Sequence, residues 1–242
     1  FCVFSKGDIR LLEGIDAALL SAEGAIVIAQ GIKGGGKAVL RAKKGLVSSV
    51  AEQATILSGG DVKLKNGCVR CAIKCNGKLE LSSEKGNLLG GVVKARGGVD
   101  AASIGSERGI RTEISFGQDY VIGDVIEREE KEILAMTQAS LKLDRQMREC
   151  EKNGNRVELE RLRAEKLGNL KRVEKMSLRL FTLREQFEEH FDGEIRVRGT
   201  VYPGVVIESH GRYHEITSPK KGVRIVFNRK TGSIVEEPLD NK

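Results

Sequence analysis

The chain has 242 residues, 41 Lys and Arg against 34 Asp and Glu for a net charge of +7, 29 Gly, three Tyr and no Trp. That length suits one long domain or two modest ones, while so many glycines and so few aromatics argue against an enzyme with a deep binding cleft. The basic excess is spread thinly, without the clustered run that nucleic acid or an anionic membrane prefers, and no apolar run approaches the roughly 20 residues of a membrane span.

No signal-peptide pattern opens the chain, and a start at Phe1 without Met is expected of a piece of something longer. From Gly7 onward one motif recurs: glycine, any residue, apolar, any residue, apolar. It reads Gly7-Asp8-Ile9-Arg10-Leu11, Gly24-Ala25-Ile26-Val27-Ile28, Gly60-Asp61-Val62-Lys63-Leu64 and Gly77-Lys78-Leu79-Glu80-Leu81, with steps of 17, 36 and 17. A second motif, apolar-any-small, interlocks with it as Leu20-Ser21-Ala22, Leu40-Arg41-Ala42, Ile56-Leu57-Ser58, Ile73-Lys74-Cys75 and Val93-Lys94-Ala95. Two motifs at a shared period of about 17 to 20 residues imply a stacked solenoid, since an ordinary β-sandwich has no reason for a fixed period. The reading is a parallel β-helix of right hand over 1–123, about six rungs of short strands that bury alternate residues. Glycine is expected to supply positive φ at the corners, and small Ala, Ser or Cys to fit where the interior narrows.

Two stretches inside the ladder imitate functional motifs. Gly31-Ile32-Lys33-Gly34-Gly35-Gly36-Lys37 has P-loop spacing, but Ala38 replaces the magnesium-binding hydroxyl and a strand follows instead of a helix. A loop between rungs is the preferred reading. Cys68, Cys71 and Cys75 mimic a thiolate cluster, yet neither Cys2 nor Cys150 supplies an obvious fourth ligand. The repeat instead places Val69, Cys71, Ile73 and Cys75 on one face, with Cys75 in the small slot held elsewhere by Ala22, Ala42, Ser58 and Ala95. Five cysteines without a paired framework suggest a reducing compartment.

The ladder closes with Leu88-Leu89-Gly90-Gly91, Ile104-Gly105-Ser106 and Thr112-Glu113-Ile114-Ser115-Phe116-Gly117; Tyr202-Pro203-Gly204-Val205 comes later. In that order, around a helical insertion, these elements resemble the flagellar assembly protein A family. Cys71 and Cys75 depart from it, standing where Ser and Ala are expected. The resemblance covers nearly all of the chain and implies a β-helix interrupted by a long helical hairpin. It also implies a bacterial cytoplasmic protein, with a peripheral place at the membrane or cell pole as a variant. Flagellar assembly machinery is the implied partner, with contact to the glucose-specific IIA component of the sugar phosphotransferase system. It implies no catalytic residues.

Over 124–192 the apolar period lengthens to about three and a half. Asp124 with Glu127 resembles a capping box, and Ile133, Met136, Leu143, Met147 and Cys150 form an apolar edge flanked by Leu134 and Leu141. Asn153-Gly154-Asn155 breaks the run. Asn155 with Glu158 opens a second helix edged by Leu159, Leu162, Val173, Met176, Leu180, Leu183 and Phe187. The short turn predicts a long antiparallel two-helix coiled-coil arm, about 45 Å of helix in each limb. Lys166 and Asn169 interrupt its seam, most simply as tolerated polar positions.

Over 193–242 the strand motif returns as Gly193-Glu194-Ile195-Arg196-Val197, Val205-Val206-Ile207 and Val223-Arg224-Ile225-Val226-Phe227, strands expected to complete and cap the β-helix. Tyr202-Pro203-Gly204 reads as a tight turn. His210 and His214 flank a polar loop and make at best a two-ligand metal site, and His190 is expected to complement a helix C-terminus.

The fold class is therefore mainly β with a helical insertion. The functional expectation is a non-enzymatic scaffold acting through protein contacts, with homo-oligomerisation an option. No catalytic, cofactor-binding or metal residue is assigned, and no cofactor. A carbohydrate-active or acyl-transferring β-helix enzyme is the alternative, but Asp8, Asp61 and Glu80 read as scattered, solvated strand positions and 1–123 holds no His. A weak nucleic-acid-binding module is the third option.

Overall fold

An extended segment that alternates apolar and polar residues buries its apolar face only when other chain covers it, and in a repeat the cover is the next copy. The computed structural model describes residues 1–239. Two units divide the chain, Phe1–Val121 with His190–Lys242, and Ile122–Glu189.

The first unit is a β-solenoid of about six turns. Three columns of apolar side chains run through it in strict register. Val3, Leu20, Leu40, Ile56, Ile73, Val93, Ile114 and Ile207 make one, and it absorbs the whole apolar-any-small motif. Ile9, Ile26, Leu46, Val62, Leu79, Val99 and Ile195 make the second, which absorbs the glycine-led motif. A third face carries no repeating mark in the sequence: Ile15, Ile32, Ala51, Cys68, Leu88, Ile104 and Val201. Nearly all of these side chains are buried, each contributing about 1.5–3 kcal/mol for the larger aliphatics.

The glycine-led corners are tight for a reason other than the expected one. Gly7, Gly24, Gly60 and Gly77 are not among the residues with positive φ. Gly24, Gly60 and Gly77 are glycine because neighbouring rungs approach too closely for a side chain, whereas Gly7, at the open end, has room for one. A Cβ on Gly24 would lie 2.0 Å from Asp8 Oδ1, and one on Gly77 would lie 2.1 Å from Asp61 Oδ1. The two carboxylates are there to accept the next rung's backbone, Ala25 N–H at 2.8 Å and Lys78 N–H at 2.9 Å. Asp8 and Asp61, both exposed, are therefore also stitches between rungs. The step of 36 hides a rung whose corner residue is Lys44, its N–H donating to Gly24 O at 3.2 Å, with Gly45 paired to Ala25 and Asp61.

Positive φ occurs at a different corner, before the first column, in Ala17 (44°), Gln53 (46°), Arg70 (50°) and Gly90 (66°). Three of these carry side chains, each held in the left-handed region at a cost of about 1–2 kcal/mol that the flanking ladders offset. The same corner holds Gly34–Lys37, extra residues that shift the register between Lys33 and Ala38. Gly35 and Gly36 there take φ of 53° and 75° with open space where a Cβ would sit, and strand pairing resumes at Ala38.

The chain leaves the solenoid after Gly117 and returns beside it, Phe191 N–H donating to Gly117 O at 3.1 Å. Glu194–Val201 then lies parallel on Gly98–Ala101 and Ser103–Ile104, and Val205–Ser209 lies parallel on Thr112–Phe116. Direction reverses next. Lys220–Asn228 runs antiparallel on Glu194–Val201, Arg212–Glu215 antiparallel on Val205–Ser209, and Ser233–Pro238 antiparallel on Lys220–Asn228. Glu194–Val201 and Val205–Ser209 thus add a further parallel rung, and antiparallel hairpins follow on it.

Two helices form the interruption, α1 (Tyr120–Lys152) and α2 (Arg156–Glu188). Helix α1 starts before the predicted Asp124: Asp119 Oδ1 accepts the Val121 N–H at 3.0 Å and caps it. Gly154, with φ of 68°, makes the turn, and Asn155 Oδ1 caps α2 by accepting the Glu158 N–H at 3.2 Å. Among the less exposed positions of α1 are Ile122, Ile126, Glu129, Ile133, Met136, Ser140, Leu143, Met147 and Cys150, alternating steps of four and three. Those of α2 are Leu159, Leu162, Lys166, Asn169, Val173, Met176, Leu180, Leu183 and Phe187. That is the heptad pattern of an antiparallel pair, tied by Glu129–Arg179 at 2.9 Å, Glu151–Arg163 at 3.2 Å, Glu130–Arg184 and Asp144–Lys166.

Replacing Gly77 by Ala should lower stability by about 2–4 kcal/mol, because the added methyl has only backbone and a pinned carboxylate to displace. Gly168→Ala, in open space on α2, should instead stabilise the helix by about 0.5–1 kcal/mol. Chemical denaturation of the two variants checks both signs.

Candidate functional site

The cysteine group resolves into packing. Cys68 and Cys75 are 0% exposed and Cys71 is 1% exposed. Cys68 joins the third column, and Cys75 stands between Ser58 and Ala95 in the first-column ladder, in keeping with its small size. Val69 does not share their face. It points outward because Arg70, in the left-handed conformation, turns the corner between Cys68 and Cys71 and breaks simple alternation. Burial, followed by the Asp61 charge, pushes the Cys75 thiol up to about 12. Cys68 is raised by its hydrogen bond with Cys71 and by burial. Thiolate, the metal-binding form, is thus disfavoured at both.

The histidines pair differently from the expectation. His210 (φ 51°) and Gly211 (φ 71°) form the turn between Val205–Ser209 and Arg212–Glu215, a two-residue hairpin loop that needs positive φ twice. His210 Nε2 lies 3.3 Å from His190 Nδ1, its Nδ1 lies 2.9 Å from Ser209 Oγ, and its ring stacks on Phe227 with centroids 4.5 Å apart. His190 lies beyond the end of α2 and holds Asp192 Oδ1 at 3.0 Å through Nε2, with His210 at its other ring nitrogen. His214 points to Glu236, which Lys220 also grips. Burial would raise Glu236, but Lys220 and His214 outweigh it and hold the carboxyl below the usual range. His210 and His214 are therefore not brought to one site. Among the described residues no group of three or more His, Cys, Asp and Glu is arranged to hold a metal.

A polar cleft of about 490 Å³ lies beside this cluster, lined by Lys78, His190, Asp192, Glu194, Arg224 and Phe227 among others. Its charges are spent on one another. Glu194 accepts from Arg224 at 2.6 Å and lies 3.7 Å from Lys78, while Arg224 also reaches Glu237 at 3.1 Å. Burial alone would raise Glu194; the Arg224 bond and the Lys78 and Arg196 charges overcome it and lower the carboxyl. The network fastens the returning strand Glu194–Val201 to the cap and to Lys78 on the rungs beneath. It gives the cleft a charged, preformed surface, with the His190–Asp192 pair at its edge.

A different kind of surface occurs on the helices. Leu134, Leu141, Leu167, Leu170, Leu178 and Phe181 are 48–69% exposed. Leu134 and Leu141 are seven apart, as are the positions that Leu167 and Phe181 share two heptads apart. In the sequence the first two stand out only as flanking residues. The signal for the rest is the register, since most follow directly on a seam position.

Comparison with known proteins gives one match. A family model described as the flagellar assembly protein A beta solenoid domain covers residues 1–234. No curated protein and no solved structure matches the chain. No helix is long and apolar enough to cross a membrane.

Two outcomes follow from these environments. A thiol reagent at pH 8 should modify exposed Cys2 fast and half-buried Cys150 more slowly, with Cys68, Cys71 and Cys75 reacting only on unfolding; peptide mapping after timed quenching reads this. Glu194, lowered in the folded chain, contributes stability above the unfolded carboxylate pKa of about 4.3 that is lost as pH falls through its folded value. Melting curves from pH 7 to pH 3 should show Glu194→Gln less stable at pH 7 and with a shallower acid loss than the unsubstituted chain.

Proposed function

This chain belongs to the flagellar assembly protein A family, and we propose that it is a non-enzymatic scaffold supporting bacterial flagellar assembly through protein–protein contacts. The observation that carries this reading is the filled interior: three unbroken columns of side chains occupy every turn of the solenoid, so what the fold offers is outer surface. A family role in assembly accords with a molecule built to present surfaces. The enzymatic alternative would need carboxylates converging on a cleft, whereas Asp8 and Asp61 are committed to the backbone of the next rung. A nucleic-acid role would need a clustered cationic stripe, and the lysines and arginines of the cleft are paired with acids.

The protein partners in this reading are components of the flagellar assembly machinery and the glucose-specific IIA component of the sugar phosphotransferase system. Meeting them places the protein in the cytoplasm, or at the membrane periphery where flagella are built. The helices are the preferred contact, because eight large apolar residues, Leu134, Leu141, Leu167 and Phe181 among them, stand exposed on them. Replacing 128–189 with a short glycine–serine linker tests the assignment. Cooperative unfolding of the β-solenoid should persist, and capture of the purified IIA component should be lost. Undiminished capture would move the contact to the solenoid, and no capture by the intact chain would remove this partner.

A further inference from the structure

Leu134 and Leu141 directly follow the seam residues Ile133 and Ser140, and Leu167, Leu170 and Phe181 directly follow Lys166, Asn169 and Leu180. In an antiparallel pair such positions emerge on one side. The cross-helix ion pairs mark that side, because Glu130, Arg184, Glu151 and Arg163 also directly follow seam residues and meet across it. Leu178 lies next to them on the outer surface of α2. The exposed residues therefore lie on one face of the helical pair, as an apolar stripe that Arg148 and Glu174 interrupt in the same heptad rows. From this we infer that the stripe packs against the same stripe of a second copy, closing a four-helix bundle from two hairpins.

Three observations favour a second copy as the occupant. The first is area: at 48–69% exposure, five leucines and a phenylalanine present on the order of 700 Å² per copy, and a pair of copies reaches the roughly 1,200–2,000 Å² of a specific interface. Next is charge. Most acids and bases flanking the stripe are matched within the hairpin, as Glu130–Arg184, Glu151–Arg163 and Asp144–Lys166, and the two within its rows, Arg148 and Glu174, are opposite in sign. The face therefore carries no net field for a strongly charged partner to read, which suits a second copy of itself. Finally, the hairpin's own seam is short of apolar contact. Glu129, Ser140, Lys166 and Asn169 interrupt it, and Glu129 Oε2 and Ser140 Oγ are buried without a hydrogen-bond partner among the described residues. Covering the outer stripe supplies the apolar burial that the inner seam lacks.

The pairing is isologous and uses the same exposed helical residues that the proposed function offers to a partner, so a partner would meet the helices already paired. Sedimentation equilibrium of the intact chain tests it, with no other protein present. The expected mass is twice the 26.4 kDa of one chain, and the Leu141→Glu/Phe181→Glu double variant should sediment as one chain with unchanged helicity. If the glutamates cost helicity, the milder Leu141→Gln/Leu178→Gln variant decides, with self-association expected to weaken about tenfold or more. A single-chain mass for the unsubstituted protein at about 100 times the micromolar range of weak association overturns the inference. So does a dimer that neither variant weakens, or a chain that pairs only after another protein is added.

Discussion

Everything in the solenoid depends on one constraint: each rung must repeat the cross-section of the rung below closely enough for their backbones to hydrogen-bond along the whole contour. Parallel strands about 4.8 Å apart leave no room for a different shape at each level. Side chains are therefore chosen in columns, and a residue is judged by what lies above and below it more than by its sequence neighbours. Cys75 is small because Ser58 and Ala95 are small. Gly24 and Gly77 have no side chain because Asp8 and Asp61 reach up to bind the backbone beside them. A bulge such as that at 34–37, inside the strand Gly31–Ala42, falls at a corner, and the register recovers at Ala38.

How much of this is legible in the chain follows from which positions repeat chemically as well as sterically. The first column is legible because its members are large aliphatics two residues before a small one, and Leu20, Leu40, Ile56, Ile73 and Val93 stack as that pattern predicts. The third face is not, since Ile32, Ala51, Cys68 and Leu88 share a column while differing in size and lacking a glycine mark. The left-handed corner is hidden for a similar reason. Ala17, Gln53 and Arg70 have nothing in common as residue types, and only the ladders on either side force their conformation. Taking the recurrent glycines for positive-φ corners credits backbone freedom where close approach is the cause.

The helices show the complementary failure. Their heptad edge is visible through Ile133, Leu143, Leu162 and Leu180, but Glu129 and Ser140 occupy seam positions that polarity disguises. Asp119, not Asp124, caps α1, because the strand ends at Phe116 and helix can begin as soon as a carboxylate meets a free N–H. Among candidate functional residues, the histidine pairing is beyond reach of spacing. His190 and His210 are twenty residues apart and meet because the return strand and the first hairpin turn are laid on adjacent parts of the last rung. The proposed scaffold role accords with this layout: stacked columns consume the interior, and charges in the sizeable polar cleft pair with one another.

Vertical register is the claim to measure first. Arg10, Val27, Val47, Lys63, Glu80, Asp100 and Arg196 form one outward column, although the last two are separated in sequence by the entire helical insertion. Spin labels placed on cysteines at Arg196 and, in turn, at Arg10, Val27 and Val47, in a chain with Cys2 and Cys150 changed to Ser, report distances by pulsed electron resonance. Six, five and four rungs predict about 29, 24 and 19 Å, a straight line with a slope near 4.8 Å per rung. Distances that do not fall evenly from Arg10 to Val47 would contradict the stacked solenoid and every assignment built on it.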